Sequence, residues 1–480
     1  MARTTRRAFL RHIAGLGTLA SAPLLGACAS LPANAPIALL QPFASPTPAN
    51  AEAIAAGLSQ LPLAPIGIAR GIYPGRVAWA HDPRAARWDG VGGAWWQEDN
   101  IAQERVDRML SNALQTVTGQ SSDAQAWHAL FRHFNSLRRR PGANYERGQQ
   151  IAIKVNLNAC MSRDYAGNGS FVSPAVVYAL LRQLVSFANV APSDITVYDA
   201  TRYVPDCVFD KCDTPELEGA HFVDWAGGDG REQYARDSDS QITWSADMNG
   251  NPAYLPTCVT RADYHINLAS LKGHTLAGLA GCAENWLGAL LADLDGKPTM
   301  DSARATNLPG YMAAQDFDAG RPGRVWPQQP MGAYNPLVDL MSHPHLGGKT
   351  LLCLMDGLYV APHQSAEITN ACRWQSSPFR GHWTASLFAS QDGVAIDSVA
   401  LDFLRAEPTV AGLPEVMPAN STADNYLHEA ALLGNPPSGT RYHATHGARS
   451  LGVHEHWNTP RDRRYSRNLG KGSGIELIRV

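Results

Sequence analysis

Two lysines, a histidine and two aspartates stand at or just beyond the ends of apolar runs in this chain. Lys154 and Asn156 close residues 151–157 (IAIKVNL), and Asp199 closes 194–199 (DITVYD). Lys272 and His274 follow 264–268 (YHINL), and Asp356 follows 349–355 (KTLLCLM). Read singly, each is a residue that caps or solvates its own turn. Read together, they are the reagents of one crevice, because the carboxyl ends of parallel strands converge in open α/β sheets. There Lys272 and Lys154 would hold an anionic group and His274, with an ordinary pKa near neutrality, would move a proton. Asp199 or Asp356 would orient that histidine or bind a metal. Lys272, His274, Asp199 and Asp356 are therefore the expected catalytic residues, with Lys154 and Asn156 binding the substrate.

A second pattern is His454-Glu455-His456. Residues two apart on a strand point to one face, so both rings face the same way. Joined by an Asp, a Cys or another His (His443, His446), they would complete a zinc, copper or iron sphere. A divalent metal ion is accordingly the cofactor candidate.

Elements must place these groups. The runs 75–79, 151–157, 194–199, 264–268, 349–355 and 386–390 read as strands, several of them continuously apolar as central parallel strands are. Asn100 with Gln103 has the pattern of a capping box ahead of the stripe Ile101, Val106, Met109, Leu110, Leu114 and Val117. Residues 122–133 read as a second helix. Ser173 and Pro174 open a third at N-cap and N1, and Asp392 caps a fourth whose apolar face is Val394, Ile396, Val399, Ala400 and Phe403. Leu276, Leu279, Ala280, Ala283, Leu287 and Leu290 also recur at helical steps, which predicts a helix whose free N–H groups favour an anion beside Lys272. Strand, helix, strand at this spacing is a βαβ unit. The expected fold is α/β, with a mixed, mainly parallel sheet, helices on both faces and long irregular insertions. One such excursion spans 201–260, with a hairpin expected around Ile242-Thr243-Trp244.

The 480 residues carry a formal charge of −3; the first 28 hold four arginines and no acid, so without them 43 acids face 36 bases. That balance offers no basic face for nucleic acid. Trp95, Trp96, Trp374, Trp383 and Trp457 stand in loop-like contexts, where they would wall a ligand pocket or simply bury area. Cys207 and Cys212 suit a local disulfide, whereas Cys353 reads as a core residue. No phosphate-binding P-loop, Gly-x-Ser-x-Gly elbow or His-Glu-x-x-His helix is present.

The N-terminus is an address. Thr5-Arg6-Arg7-Ala8-Phe9-Leu10-Arg11 resembles a twin-arginine export motif, and the apolar run 13–27 is too short to span a membrane stably. Leu25-Gly26-Ala27-Cys28 resembles a lipobox, which makes Cys28 the acylated first residue of the mature chain. The expected organisation is a leader over 1–28, an Ala/Pro-rich tether over 29–68 and one α/β domain over 69–480. The expected partners are the export machinery, the membrane through the acyl anchor and a small-molecule ligand. The expected location is the periplasmic face or the cell surface.

In order along the chain, Ile153-Lys154-Val155-Asn156, Tyr198-Asp199-Ala200, Ile266-Asn267-Leu268, Leu271-Lys272-Gly273-His274 with Gly278 and Asn285, Met355-Asp356-Gly357, and Ser390 through Asp397 (SQDGVAID) resemble the domain-of-unknown-function family DUF362. The closing Gly452 through Asn458 and Tyr465 through Gly470 resemble the tail of its exported branch. Within these blocks Asn285 and Asp392 join Lys154 and Asn156 as candidate substrate-binding residues. The chain departs from the family pattern at Glu284, where a Lys usually precedes the Asn, and at Gly393, where a Pro is usual. The first departure reverses a charge and changes what the crevice attracts. The ferredoxin segments of some relatives have no counterpart in the Cys spacing here. The resulting expectation is a metal- or cofactor-dependent enzyme acting on a small polar or anionic substrate. The alternative is a non-catalytic surface protein that binds an extracellular ligand.

Overall fold

The structure, a computed structural model, describes residues 64–312, 331–411, 422–444 and 447–480. The leader, Cys28, the tether up to residue 63 and His446 lie outside the described residues. Among the described residues nine strands form the central sheet: β1 (Arg76–His81), β2 (Ile151–Val155), β3 (Ile195–Tyr198), β4 (His221–Asp224), β5 (Glu232–Gln233), β6 (Tyr264–Ser270), β7 (Thr350–Gly357), β8 (Ser386–Ser390) and β9 (Glu476–Arg479). Their spatial order is β9-β1-β8-β7-β6-β2-β3-β4-β5. Every pairing is parallel except the two made by β8. This is the mixed, mostly parallel α/β architecture that the strand runs predict.

Period-two alternation decides which side chains face which helices. Ile151, Ile153 and Val155 of β2, with Leu352 and Leu354 of β7, face α1 (Gln103–Thr118), α2 (Asp123–Leu137) and α3 (Pro174–Arg182). Ala152, Cys353 and Met355 face the other way, toward α4 (Cys282–Asn285), α5 (Gly393–Ala406) and α6 (Thr422–Ala431). Burying a whole Leu or Ile contributes about 1.5–3 kcal/mol, so a register slip that exchanged these faces would be prohibitive.

The helix caps follow the sequence with one exception. Ser173 accepts from the Val176 N–H with Pro174 at N1, and Ser122 accepts from Gln125 N–H. The Asn100–Gln103 box does not form: α1 starts at Gln103 behind Ala102, which has no capping side chain, and Asn100 instead donates to the Ala94 carbonyl.

The expected helix over 276–290 is largely replaced. Gly273-His274 and Gly278-Leu279 pair as a short hairpin across Thr275, Leu276 and Ala277, and only Cys282–Asn285 and a 3-10 turn, Trp286–Ala289, remain helical. Gly278 takes a φ of +76, conformation that breaks a helix and that glycine adopts freely. Residues 241–250 form no strand, so the hairpin expected at Ile242-Thr243-Trp244 is absent; Arg236–Asp237 pairs with Leu255–Pro256 instead. Among the described residues no helix is long and apolar enough to cross a membrane.

Candidate functional site

The chain passes from β2 outward through β3 and β4, then returns to lay β6 on the other side of β2. At such a reversal the loops above neighbouring strands part and leave a crevice. A cavity of about 210 Å³ lies there, and Lys154, Asn156, Asp199, His274 and Asn285 all line it, together with Arg202, Glu284 and Gly288.

Lys154 is 1% exposed. Its ammonium meets the Asp199 carboxylate at 3.0 Å, the Asn285 Oδ1 at 3.1 Å and the Val155 carbonyl at 2.8 Å, so its three donors are all used. Burial draws the Lys154 pKa down, and the Asp199 charge resists that. Asn285 donates onward to Asn267 Oδ1, and Asn267 to the Cys282 carbonyl. Gly288 lets the backbone come this close: a Cβ there would sit 2.6 Å from Lys154 Nζ and 2.8 Å from Asp199 Oδ1.

Lys272 stands one layer behind the wall, fully buried, donating at 3.0 Å to Asn156 Oδ1 and at 3.0 Å to the Ser170 carbonyl. Burial lowers its pKa to about 8, partly offset by Glu284. Its part is to hold Asn156 and to supply positive potential from behind.

His274 has a different part from the proton carrier expected of it. Its Nδ1 accepts from the Leu276 and Ala277 N–H groups at 3.2 and 3.0 Å, which puts the ring proton on Nε2. Burial, reinforced by Lys272 and His363, lowers its pKa to about 3. The ring is neutral at physiological pH and is a fixed donor at Nε2, 3.5 Å from Glu284 Oε1.

Besides Lys272, two expected residues lie outside the cavity. Asp356 turns away to accept from the Ser173 and Leu358 N–H groups at 2.7 and 2.9 Å, tying β7 to the start of α3. Asp392 lies at the opposite end of the sheet, because β8 runs antiparallel and delivers its last residues there. It caps α5 through the Val394 and Ala395 N–H groups and also accepts from Arg70 and Val453 N–H.

Glu284 is the residue that sequence reasoning left out of the site. Its side chain is 12% exposed, and burial raises its pKa against the pull of Lys272 and Lys154. Its sign departure from the family pattern was the available signal. Arg202 was also missed. It donates to the Asn158, Thr201 and Met300 carbonyls and to Asn158 Oδ1, none of them a carboxylate, while its charge acts on Glu284 across the cavity. The helix N-terminus expected to receive an anion is already filled, since Asp397 accepts from Cys282 N–H at 2.7 Å and Ala283 N–H at 3.0 Å. Gly281 makes room for that carboxylate, 2.4 Å from where a Cβ would be.

The tryptophans are not platforms around this cavity. Trp95, Trp374, Trp383 and Trp457 are at most 3% exposed, and none of the five lines the cavity. Cys207 and Cys212 belong to one short helix, Asp206–Cys212, and are free thiols.

His454 and His456 lie elsewhere, 1% and 3% exposed, beneath α5 and α6. With Asp424 they form a group whose ligand atoms all lie within 4.8 Å of one another, close enough to hold one metal ion. Burial alone would lower His456, but the Asp402 and Asp424 carboxylates outweigh it and lift the ring to about 9. His443, expected as a further ligand, is exposed and outside this group.

No curated protein matches the chain. Residues 151–402, which run from β2 through the crevice loops to the last turns of α5, match the profile of the domain of unknown function (DUF362). That match covers more than half of the chain, and with the crevice residues inside it the protein belongs to the DUF362 family.

Proposed function

We propose that the crevice binds a small molecule carrying an anionic group and that Glu284 exchanges a proton with it. The observation that carries this reading is that a guanidinium whose hydrogen bonds go to neutral oxygens shares one small cavity with a buried carboxyl of raised pKa. Arg202 would take the anionic group, His274 Nε2 would donate to a neighbouring oxygen, and Glu284 would act as acid or base. The Lys154–Asp199 pair sets the shape of the floor and is saturated by its own contacts.

Thermal shift with inorganic phosphate, sulfate and small mono- and dicarboxylates tests it. At least one should raise the melting temperature at millimolar concentration, and Arg202→Met should remove that response. A wild-type chain indifferent to the whole panel, or an Arg202→Met chain that still responds, sinks the reading. The pH dependence has a definite sign. Lys272 is protonated below about 8 and loses its charge above it, so anion affinity should hold up to that pH and then fall. One unit charge at several ångströms and an effective dielectric near 20 is worth about 2 kcal/mol, roughly thirtyfold. Lys272→Met should abolish this alkaline limb.

We also propose that the protein is exported by the twin-arginine route and anchored through Cys28. Support comes from the Arg6-Arg7 motif and the Leu25-Gly26-Ala27-Cys28 box. Mass spectrometry of membrane-extracted protein should find an acylated Cys28 at the N-terminus, and Cys28→Ser should release the body from the membrane. An unprocessed Met1 or Ala2 terminus in the mature protein would refute this.

A further inference from the structure

The histidine group offers chemistry separate from the crevice, with which it shares no lining residue. α5 presents Ser398, Asp402 and Arg405 toward it, spaced as one face of a helix. Ser398 Oγ donates to the Val394 carbonyl at 2.7 Å, so at 2.8 Å it accepts from His454 Nδ1. That fixes the His454 proton on Nδ1 and leaves the lone pair on Nε2. The Nε2 atom is buried and has no hydrogen-bond partner among the described residues. Asp402 Oδ1 takes His456 Nδ1 at 2.5 Å, while also accepting from Trp457 N–H and the Tyr465 hydroxyl through Oδ2. His456 Nε2 lies 3.2 Å from Asp424 Oδ1, without the alignment of a hydrogen bond.

Both rings are thus held through Nδ1 and turn Nε2 inward toward one carboxylate. An unpaired buried acceptor is costly, and a histidine oriented through its other nitrogen by a carboxylate or hydroxyl is the arrangement that ligating imidazoles need. Arg405 pairs with both oxygens of Asp424, at 3.0 Å through Nη1 and more closely through Nη2. It uses one lone pair of each, so Oδ1 retains a second.

We propose that His454 Nε2, His456 Nε2 and Asp424 Oδ1 bind a divalent transition-metal ion, which takes the place of the proton on His456 Nε2 and releases it to solvent, with Ser398 and Asp402 as positioning residues. Two imidazoles and one carboxylate suit a borderline ion of the zinc class. A further imidazole, His428, stands with its ring centroid 4.7 Å from that of His454.

The test uses the full chain, stripped by chelator and titrated with Zn²⁺ or Co²⁺ alone. It should take up about one equivalent of metal, cobalt should give the visible bands of a low-coordinate nitrogen/oxygen site, and the melting temperature should rise. His454→Gln and Asp424→Asn should lose the equivalent, His443→Ala should keep it, and Asp402→Asn should weaken affinity by about 10–100-fold. Failure of a variant to fold is detected by circular dichroism, and the wild-type titration then decides alone. A folded wild-type chain that takes up no metal overturns the proposal, as does uptake that survives His454→Gln. Neither outcome touches the anion response of the crevice, so the two readings fail separately.

Discussion

Asp199→Ala should cost the protein about 3–5 kcal/mol of folding stability, because it strands a buried cation. Lys154 is 1% exposed and Asp199 is the carboxylate that meets its ammonium. The replacement also frees the Thr201 N–H and hydroxyl, each 3.0 Å from Asp199 Oδ1. The loss has a ceiling, since the lysine escapes by giving up its proton. Taking an ordinary lysine pKa of 10.5 down to pH 7 requires about 5 kcal/mol, at about 1.4 kcal/mol per unit. Lys154→Met alone leaves the opposite charge buried and should be comparably damaging. The double change Lys154→Met with Asp199→Leu should recover much of the loss, as apolar replacements of buried pairs do. Urea unfolding followed by tryptophan fluorescence measures all three. A single-variant loss below about 1 kcal/mol would mean that water reaches the pair.

Asp392→Ala should be nearly as destabilising, by about 3 kcal/mol, yet leave the anion response of the crevice intact. The carboxylate receives four backbone N–H groups, from Val394, Ala395, Arg70 and Val453. A cap of this kind is worth about 1–2 kcal/mol, and each buried donor left unpaired adds about 1–3 kcal/mol before relaxation. Asp392→Asn should fall between, since its amide still accepts at one oxygen but turns a donor toward another. A change in the ligand-induced thermal shift with stability preserved would return Asp392 to the binding residues and contradict its placement at the far end of the sheet.

The same residue shows what a single chain of letters can and cannot convey. The block SQDGVAID reads correctly as strand end, cap and helix, because Asp392 acts on N–H groups two and three residues ahead. Its remoteness from Lys154 depends on β8 running against its neighbours, and a strand's direction leaves no mark on its own composition. Strand runs and most caps were legible for the same reason: alternation and N-cap chemistry are local. The run 276–290 misled because its leucines and alanines have helical spacing while Gly278 turns the chain into a hairpin. Lys154, Asn156, Asp199, His274 and Asn285 do reach one cavity, as polar ends of parallel strands should. The state of His274 was not legible, since two N–H groups and full burial fix its proton. Asp424 lies thirty residues before His454 in the sequence, and nothing in spacing links them. Only the packing of α6 against α5 does so.

The rims of the sheet have a consequence for the molecule in solution. A wide sheet invites another chain to extend it wherever long, flat backbone lies open. Among the described residues the outermost strands are β5, two residues long, and β9, four residues long. Glu232 and Gln233 are both exposed on the first, and Glu476 and Arg479 begin and end the second. A would-be tenth strand finds a ledge too short to grip at one margin and charged side chains at the other. The folded body, released from its anchor, should therefore stay dispersed at high concentration, and lengthening either margin with an apolar tag would invite fibrous association.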